Sequence, residues 1–173
     1  NATSLNPTTT ASVTRNADVI TKTGISDLIG QTEGTVLIKG VQTERGVIFR
    51  LRNSTSTNNS VFVFNAGDYN GRCAYAVVKN GVSVSDVSPT TPNIQPNKNI
   101  IIKYSQTTIK VFINGVLFWT YNYPTSTDFT AIIDKIEFGS LTEVGLARFD
   151  LIAIWKTQIT DQQAIKLTTL WFT

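Results

Sequence analysis

The 173-residue chain contains no histidine, no methionine and a single cysteine, Cys73. Without histidine there is no imidazole to ligate a metal and no base for Ser-His or Cys-His nucleophilic catalysis. One cysteine excludes an intrachain disulfide, and its place inside an apolar strand-like run marks it as a small buried hydrophobe rather than a reactive thiol. Charge is scarce as well: 16% of residues are charged, the net charge is +3, and no Lys/Arg cluster forms the footprint of a nucleic-acid-binding protein. No apolar run approaches the ~20 residues of a membrane-spanning helix, so membrane insertion is not expected. There is no Walker-type loop and no G-x-S-x-G elbow, and the Gly67/Gly71 pair reads as a loop rather than a phosphate cradle. A chain without methionine is expected to be one module of a longer protein.

What the sequence does have is strand-forming material. Val, Ile and Phe dominate its apolar residues, and Ser, Thr and Asn are abundant. After an Asn/Thr/Ser/Pro-rich lead-in over residues 1–15, residues 16–173 read as a single domain. A short strand at Val19-Ile20 and a turn at 26–31 precede runs at 35–41, 46–52, 60–64, 72–79, 82–87, 99–105, 132–138 and 147–155. Gly, Pro and Asn clusters separate nearly all of them. Short strands at this spacing predict an all-β antiparallel sandwich or barrel. One helix is expected near the end, because Thr160-Asp161-Gln162-Gln163 matches a capping box.

Two Asn-Gly pairs, Asn80-Gly81 and Asn114-Gly115, each sit between β-type runs and predict type I′ hairpins. At the second, a regular register pairs Ile113 with Val116, Val111 with Phe118 and Ile109 with Thr120. That register buries one set of residues and turns Lys110, Phe112, Leu117, Trp119 and Tyr121 to the opposite face. Other inward sets are Val47/Phe49/Leu51, Ile100/Ile102/Tyr104 and Phe149/Leu151/Ala153/Trp155. Ile152 and Ile154 make the last strand apolar on both sides, so the helix or the N-terminal segment is expected to cover it.

The back half resembles a laminin-G-like, concanavalin A-like jelly roll. The resemblance rests on Ile100-Ile101-Ile102-Lys103-Tyr104, on the hairpin Lys110-Val111-Phe112-Ile113-Asn114-Gly115, and on 147–156 followed by Ile159-Thr160-Asp161-Gln162-Gln163-Ala164-Ile165. The lead-in over 6–19 and the stretch 30–35 look like the opening of such domains in bacteriophage tail and fibre proteins and in bacterial surface proteins. The resemblance implies a jelly-roll β-sandwich with one C-terminal helix, located in a virion or at a cell surface. Some members hold Ca²⁺ on scattered carboxylates. Here Asp68, Asp86, Asp128, Asp134 and Asp150 have no EF-hand-like spacing, and Asn114 stands where the family hairpin often carries Asp, so no cofactor is expected.

Glycosidases need two carboxylates flanking the scissile bond. Asp134 and Glu137 fall on opposite faces of one strand and Asp150 stands alone, so the chain is read as non-catalytic. Binding is the better reading. Aromatic rings stack on the apolar faces of sugars while polar side chains bond their hydroxyls. Trp119, Tyr121 and Lys110 of the hairpin, Tyr69 and Arg72 of the 68–72 loop, and Tyr123 are the candidate ligand-binding residues. Arg50 and Arg52 alternate outward as either a solvated face or an anionic-glycan contact. The expected partner is a cell-surface polysaccharide or glycan. The alternatives are a structural or oligomerisation domain (a homo-oligomer, trimeric in a fibre) and a carbohydrate-binding appendage of a polysaccharide-degrading enzyme.

Overall fold

The computed structural model describes residues 20–41, 46–55, 60–65, 73–79, 82–87, 98–122, 132–138 and 149–169. They form eleven strands and a helix: β1 (Ile20–Thr23), β2 (Gly34–Val41), β3 (Gly46–Arg52), β4 (Ser60–Asn65), β5 (Cys73–Lys79), β6 (Val82–Val87), β7 (Lys98–Tyr104), β8 (Thr108–Ile113), β9 (Val116–Asn122), β10 (Lys135–Phe138), β11 (Leu151–Trp155) and α1 (Asp161–Thr169). The strands make two antiparallel sheets. The six-stranded one runs β1-β10-β3-β4-β5-β6 and the five-stranded one β11-β2-β7-β8-β9. The all-β sandwich with one short C-terminal helix expected from the sequence is the fold observed.

The core lies between the sheets. Phe49 and Leu51 of β3 and Ile136 and Phe138 of β10 meet Val36, Ile38, Ile100, Ile102, Tyr104, Ile109 and Val111 of the facing sheet. These are the inward sets that alternation predicts for β7 and β8, and two of the three residues expected in β3; the ladder shifts register between Val47 and Phe49, and the Val47 side chain lies outside the described ones. Each fully buried aliphatic side chain contributes roughly 1.5–3 kcal/mol. The Tyr104 hydroxyl donates to the Gly30 carbonyl at 2.8 Å, and burial pushes its phenol well above the usual range.

The outer face of the five-stranded sheet is apolar too, and α1 closes it. Leu37, Ile101 and Phe112 are buried there with Ala164, and Ala153, Trp155, Ile159 and Leu167 pack beside them. In β11 it is therefore Ile152 and Ile154 that face the inter-sheet core, whereas Ala153 and Trp155 lie on the helix side. This corrects the expected inward set Phe149/Leu151/Ala153/Trp155. Only Phe149 of that set packs on the core, because the strand begins at Leu151, after a bend at Asp150, and alternation does not carry across the bend. Both faces of β11 are apolar because each has its own apolar partner.

The capping box forms as expected. The Gln163 N–H donates to Thr160 Oγ1 at 3.1 Å and the Thr160 N–H to Gln163 Oε1 at 2.9 Å. At the other end of α1 the Gly115 N–H donates to Thr168 Oγ1 at 2.9 Å, and Asn99 Nδ2 donates to the Thr168 carbonyl at 3.1 Å. The Asn114-Gly115 turn has positive φ at both residues, 48° and 82°, as type I′ requires. A Cβ at Gly115 would run into the Thr169 hydroxyl, so glycine serves both the turn and the helix packing. Lys79 pairs with Val82 across the other Asn-Gly pair, whose own residues lie outside the described ones.

The hairpin register differs from the regular one beyond its first two rungs. Ile113 pairs with Val116 and Phe112 with Leu117, but Val111 pairs with Trp119 and Ile109 with Tyr121. Phe118 is an extra residue, a β-bulge, and it inverts the alternation of everything after it. Trp119 is consequently 8% exposed in the inter-sheet core, and Tyr121 packs against that core, half-buried, with ring centroids 6.3 Å from Trp119. The placement of these two rings on an outer aromatic face is therefore corrected. A core position removes the large apolar surface of an indole from water, which an outer position would leave wet.

Candidate functional site

The bulge separates the residues expected to act together. Trp119 and Tyr121 point into the sandwich. Lys110 lies on the opposite, helix-covered face, where its Nζ is 2.7 Å from Asp161 Oδ2. Lys103, 5% exposed, reaches the other oxygen of the same carboxylate at 2.5 Å, and its ammonium sits 5.8 Å from the Phe112 ring centroid. These contacts, that with Lys103 foremost, hold the Asp161 carboxyl below its ordinary pKa. This Lys103–Asp161–Lys110 clasp fixes the start of α1 and has the character of a structural ion cluster. Tyr69, Arg72 and Tyr123 lie outside the described residues.

The six-stranded sheet carries a different cluster on its outward face. Phe49 and Leu51 point into the core, so the alternating Arg50 and Arg52 point away from it. Ile136 and Phe138 place Lys135 and Glu137 likewise. In register, Arg50 faces Glu137 and Arg52 faces Lys135 across the β3–β10 ladder. The next strand adds Thr21 opposite Glu137 and Thr23 opposite Lys135, both exposed. Three neighbouring strands thus present a polar strip roughly 10 Å wide, at ~4.8 Å per strand step.

Glu137 is the centre of the strip. Its Oε1 lies 2.8 Å from an Arg52 nitrogen and 2.5 Å from Lys135 Nζ, and its Oε2 lies 3.6 Å from Arg50. Three cations therefore converge on one carboxylate that is 5% exposed. The Nε–H of Arg52 is buried and has no hydrogen-bond partner among the described residues.

Local contacts hold β10 in this register. The Gln31 side chain accepts from the Ile133 N–H at 2.8 Å and donates to the Ile133 carbonyl at 2.9 Å, like a rung of a ladder. Asn53 Nδ2 donates to the Ile132 carbonyl at 2.6 Å. The Asp134 carboxylate accepts from the Ser54 hydroxyl and N–H, each at 2.7 Å; the hydroxyl is the chief reason its carboxyl sits below its ordinary pKa. Asp134 is thereby a loop anchor. Among the described residues no group of three or more acidic or cysteine side chains is arranged to hold a metal ion.

Two dipeptide steps announced this cluster in the sequence: Arg50-x-Arg52 and Lys135-x-Glu137, each with a core residue between. Alternation found the outward arginines. It did not find Glu137 or Lys135 as their partners, because which strand lies beside β3 is a matter of topology.

No family model and no curated protein matches the sequence. Solved structures do match the fold. The NanB sialidase of Streptococcus pneumoniae aligns with a TM-score of 0.64 at 17% identity, over 86% of this chain and 26% of the sialidase. The chain thus spans about a quarter of that enzyme's length. The CBM40 carbohydrate-binding module of the Ruminococcus gnavus IT-sialidase aligns with a TM-score of 0.61 at 15% identity, over 89% of this chain and 97% of the module. Structures of that module bound to α2,3- and α2,6-sialyllactose also match. The botulinum neurotoxin serotype G binding domain aligns with a TM-score of 0.64 at 13% identity, over 87% of this chain and 40% of that one. At these identities the likeness establishes the fold: a lectin-like jelly-roll sandwich of the architecture found in a sialidase's carbohydrate-binding module.

Proposed function

We propose that the chain is a non-catalytic carbohydrate-binding module that recognises an acidic glycan on the outward face of its six-stranded sheet. The observation that carries this reading is the convergence of Arg50, Arg52 and Lys135 on the nearly buried Glu137. Guanidinium groups bind carboxylate and sulfate oxygens through paired N–H donors, and the exposed hydroxyls of Thr21 and Thr23 lie alongside for sugar hydroxyls. A strip roughly 10 Å wide accommodates one or two sugar rings. The likeness to a sialidase carbohydrate-binding module supports the same ligand class. A non-catalytic role is supported by the engagement of both carboxylates near the strip: Glu137 by three cations and Asp134 by Ser54.

The wider setting proposed is a phage tail or fibre protein, or a bacterial surface protein, that meets a cell-surface polysaccharide. Its support is the resemblance of the lead-in alone. The oligomer reading has lost part of its motive, because Phe112 lies under α1 and Trp119 in the core.

Isothermal titration with α2,3-sialyllactose and with lactose tests the glycan reading. Preference for the acidic sugar, lost in an Arg50→Ala/Arg52→Ala double variant, supports it. Equal or undetectable binding of both sugars rejects it.

A further inference from the structure

On the glycan-binding reading, we infer that Glu137 is the positioning residue of the strip: it does not meet the ligand but holds Arg50, Arg52 and Lys135 as one array. Side-chain exposure is graded from 6% for Glu137 through 14% for Lys135 and 19% for Arg52 to 33% for Arg50. The carboxylate therefore lies deepest, and a ligand arriving from solvent meets cations.

Three positive heads gathered at one point repel one another, and long side chains splay apart unless something fixes them. Glu137 Oε1 fixes two, since both Arg52 and Lys135 contact that single atom. Arg50 stands 3.6 Å from Oε2, an ion pair beyond hydrogen-bond reach. It is also the most exposed of the three. Arg52 and Lys135 are thus held on one oxygen of Glu137, with Arg50 beside the other. Preorganisation of this kind makes a site select an anion by the placement of its oxygens. A loose set of three cations would instead attract anions by charge alone.

The two cases separate in Glu137→Gln, which keeps the side-chain volume and raises the net charge by one. If Glu137 positions the array, the variant binds α2,3-sialyllactose about tenfold more weakly, the effect of one lost charge-assisted hydrogen bond. Inorganic sulfate, a simple anion, then binds the variant as well as or better than the wild type, and sodium chloride weakens that binding more steeply. Unchanged or tighter sialyllactose binding in a folded Glu137→Gln variant overturns the inference. Thermal unfolding reports whether the variant folds. Should it not, Arg52→Lys decides: it keeps the charge and loses the planar fork. Sialyllactose affinity equal to wild type in Arg52→Lys overturns the positioning role, and about tenfold weaker binding supports it. A wild-type protein that does not prefer sialyllactose to lactose overturns the glycan reading itself. A wild type that does, with unaffected variants, overturns only the role of Glu137.

Discussion

The two sheets turn opposite kinds of surface outward. On the five-stranded sheet the outer face carries Leu37, Ile101 and Phe112, and α1 lies across it. Lys103 and Lys110 of that face are matched to one carboxylate of the helix. On the six-stranded sheet the outer face around β3 and β10 carries three cations and one carboxylate, and the cationic side chains are 14% to 33% exposed. The difference lies in where the anion comes from. Asp161 arrives with a separate element, so its ion pairs dock that element. Glu137 belongs to the same sheet as its cations, so its ion pairs join two neighbouring strands of one surface.

Substitutions sharpen this contrast, starting with the covered face. Phe112→Ala leaves a cavity beneath α1 and is expected to destabilise the protein by about 3–5 kcal/mol in denaturant unfolding. Trp119→Ala is expected to cost a similar amount. It is expected to lower any glycan affinity only in proportion to the unfolded fraction, since the indole packs in the core. A folded, fully stable Trp119→Ala protein that has lost sugar binding would contradict the assignment of the site.

Asp161→Asn breaks the clasp and leaves the Lys103 ammonium, 5% exposed, without its carboxylate. The carboxylate itself is 41% exposed, so screening reduces the effect, and a loss of about 1–2 kcal/mol is expected in denaturant unfolding. The pH dependence follows from sign. Asp161 titrates below its ordinary pKa of 3.8 in the folded state, so its contribution is fully present above that value and is lost as pH falls through the lowered one. Acid titration of wild type and Asp161→Asn should therefore show curves that converge only on the acid side of 3.8. Thr160→Ala removes the side-chain cap of α1 and is expected to cost about 1 kcal/mol by the same measurement.

The smallest stability effect is expected on the outward face of the six-stranded sheet. Arg50→Ala should change unfolding free energy by no more than about 0.5 kcal/mol, as for other part-exposed ion pairs. The same variant should weaken α2,3-sialyllactose binding clearly. If Arg50→Ala instead destabilises as much as Asp161→Asn and leaves binding intact, the two faces are alike and both clusters are structural.

Much of this architecture was legible before any coordinates. The capping box at Thr160 and the Asn114-Gly115 turn are short-range devices, and each appears where its residues predict it. The inward sets of β7 and β8, and Phe49 and Leu51 of β3, follow from alternation alone. Failures occurred where alternation was carried across an irregularity. At Phe118 one extra residue moved Trp119 and Tyr121 to the inner face, and before β11 a bend at Asp150 exchanged Ala153 and Trp155 for Ile152 and Ile154. A bulge has no strong sequence signature here, because Leu117, Phe118 and Trp119 are all apolar and each fits either face.

The sequence by itself determined the elements: strands, turns, a capped helix and an outward pair of arginines, all set by interactions within a few residues. Only the tertiary structure decided that β10 lies against β3 and not elsewhere, bringing Glu137 and Lys135 to Arg50 and Arg52 from more than eighty positions away. Alternation states which side of a strand a residue occupies. Which strand becomes its neighbour depends on how the whole chain buries its apolar surface, and that is a property no local stretch carries.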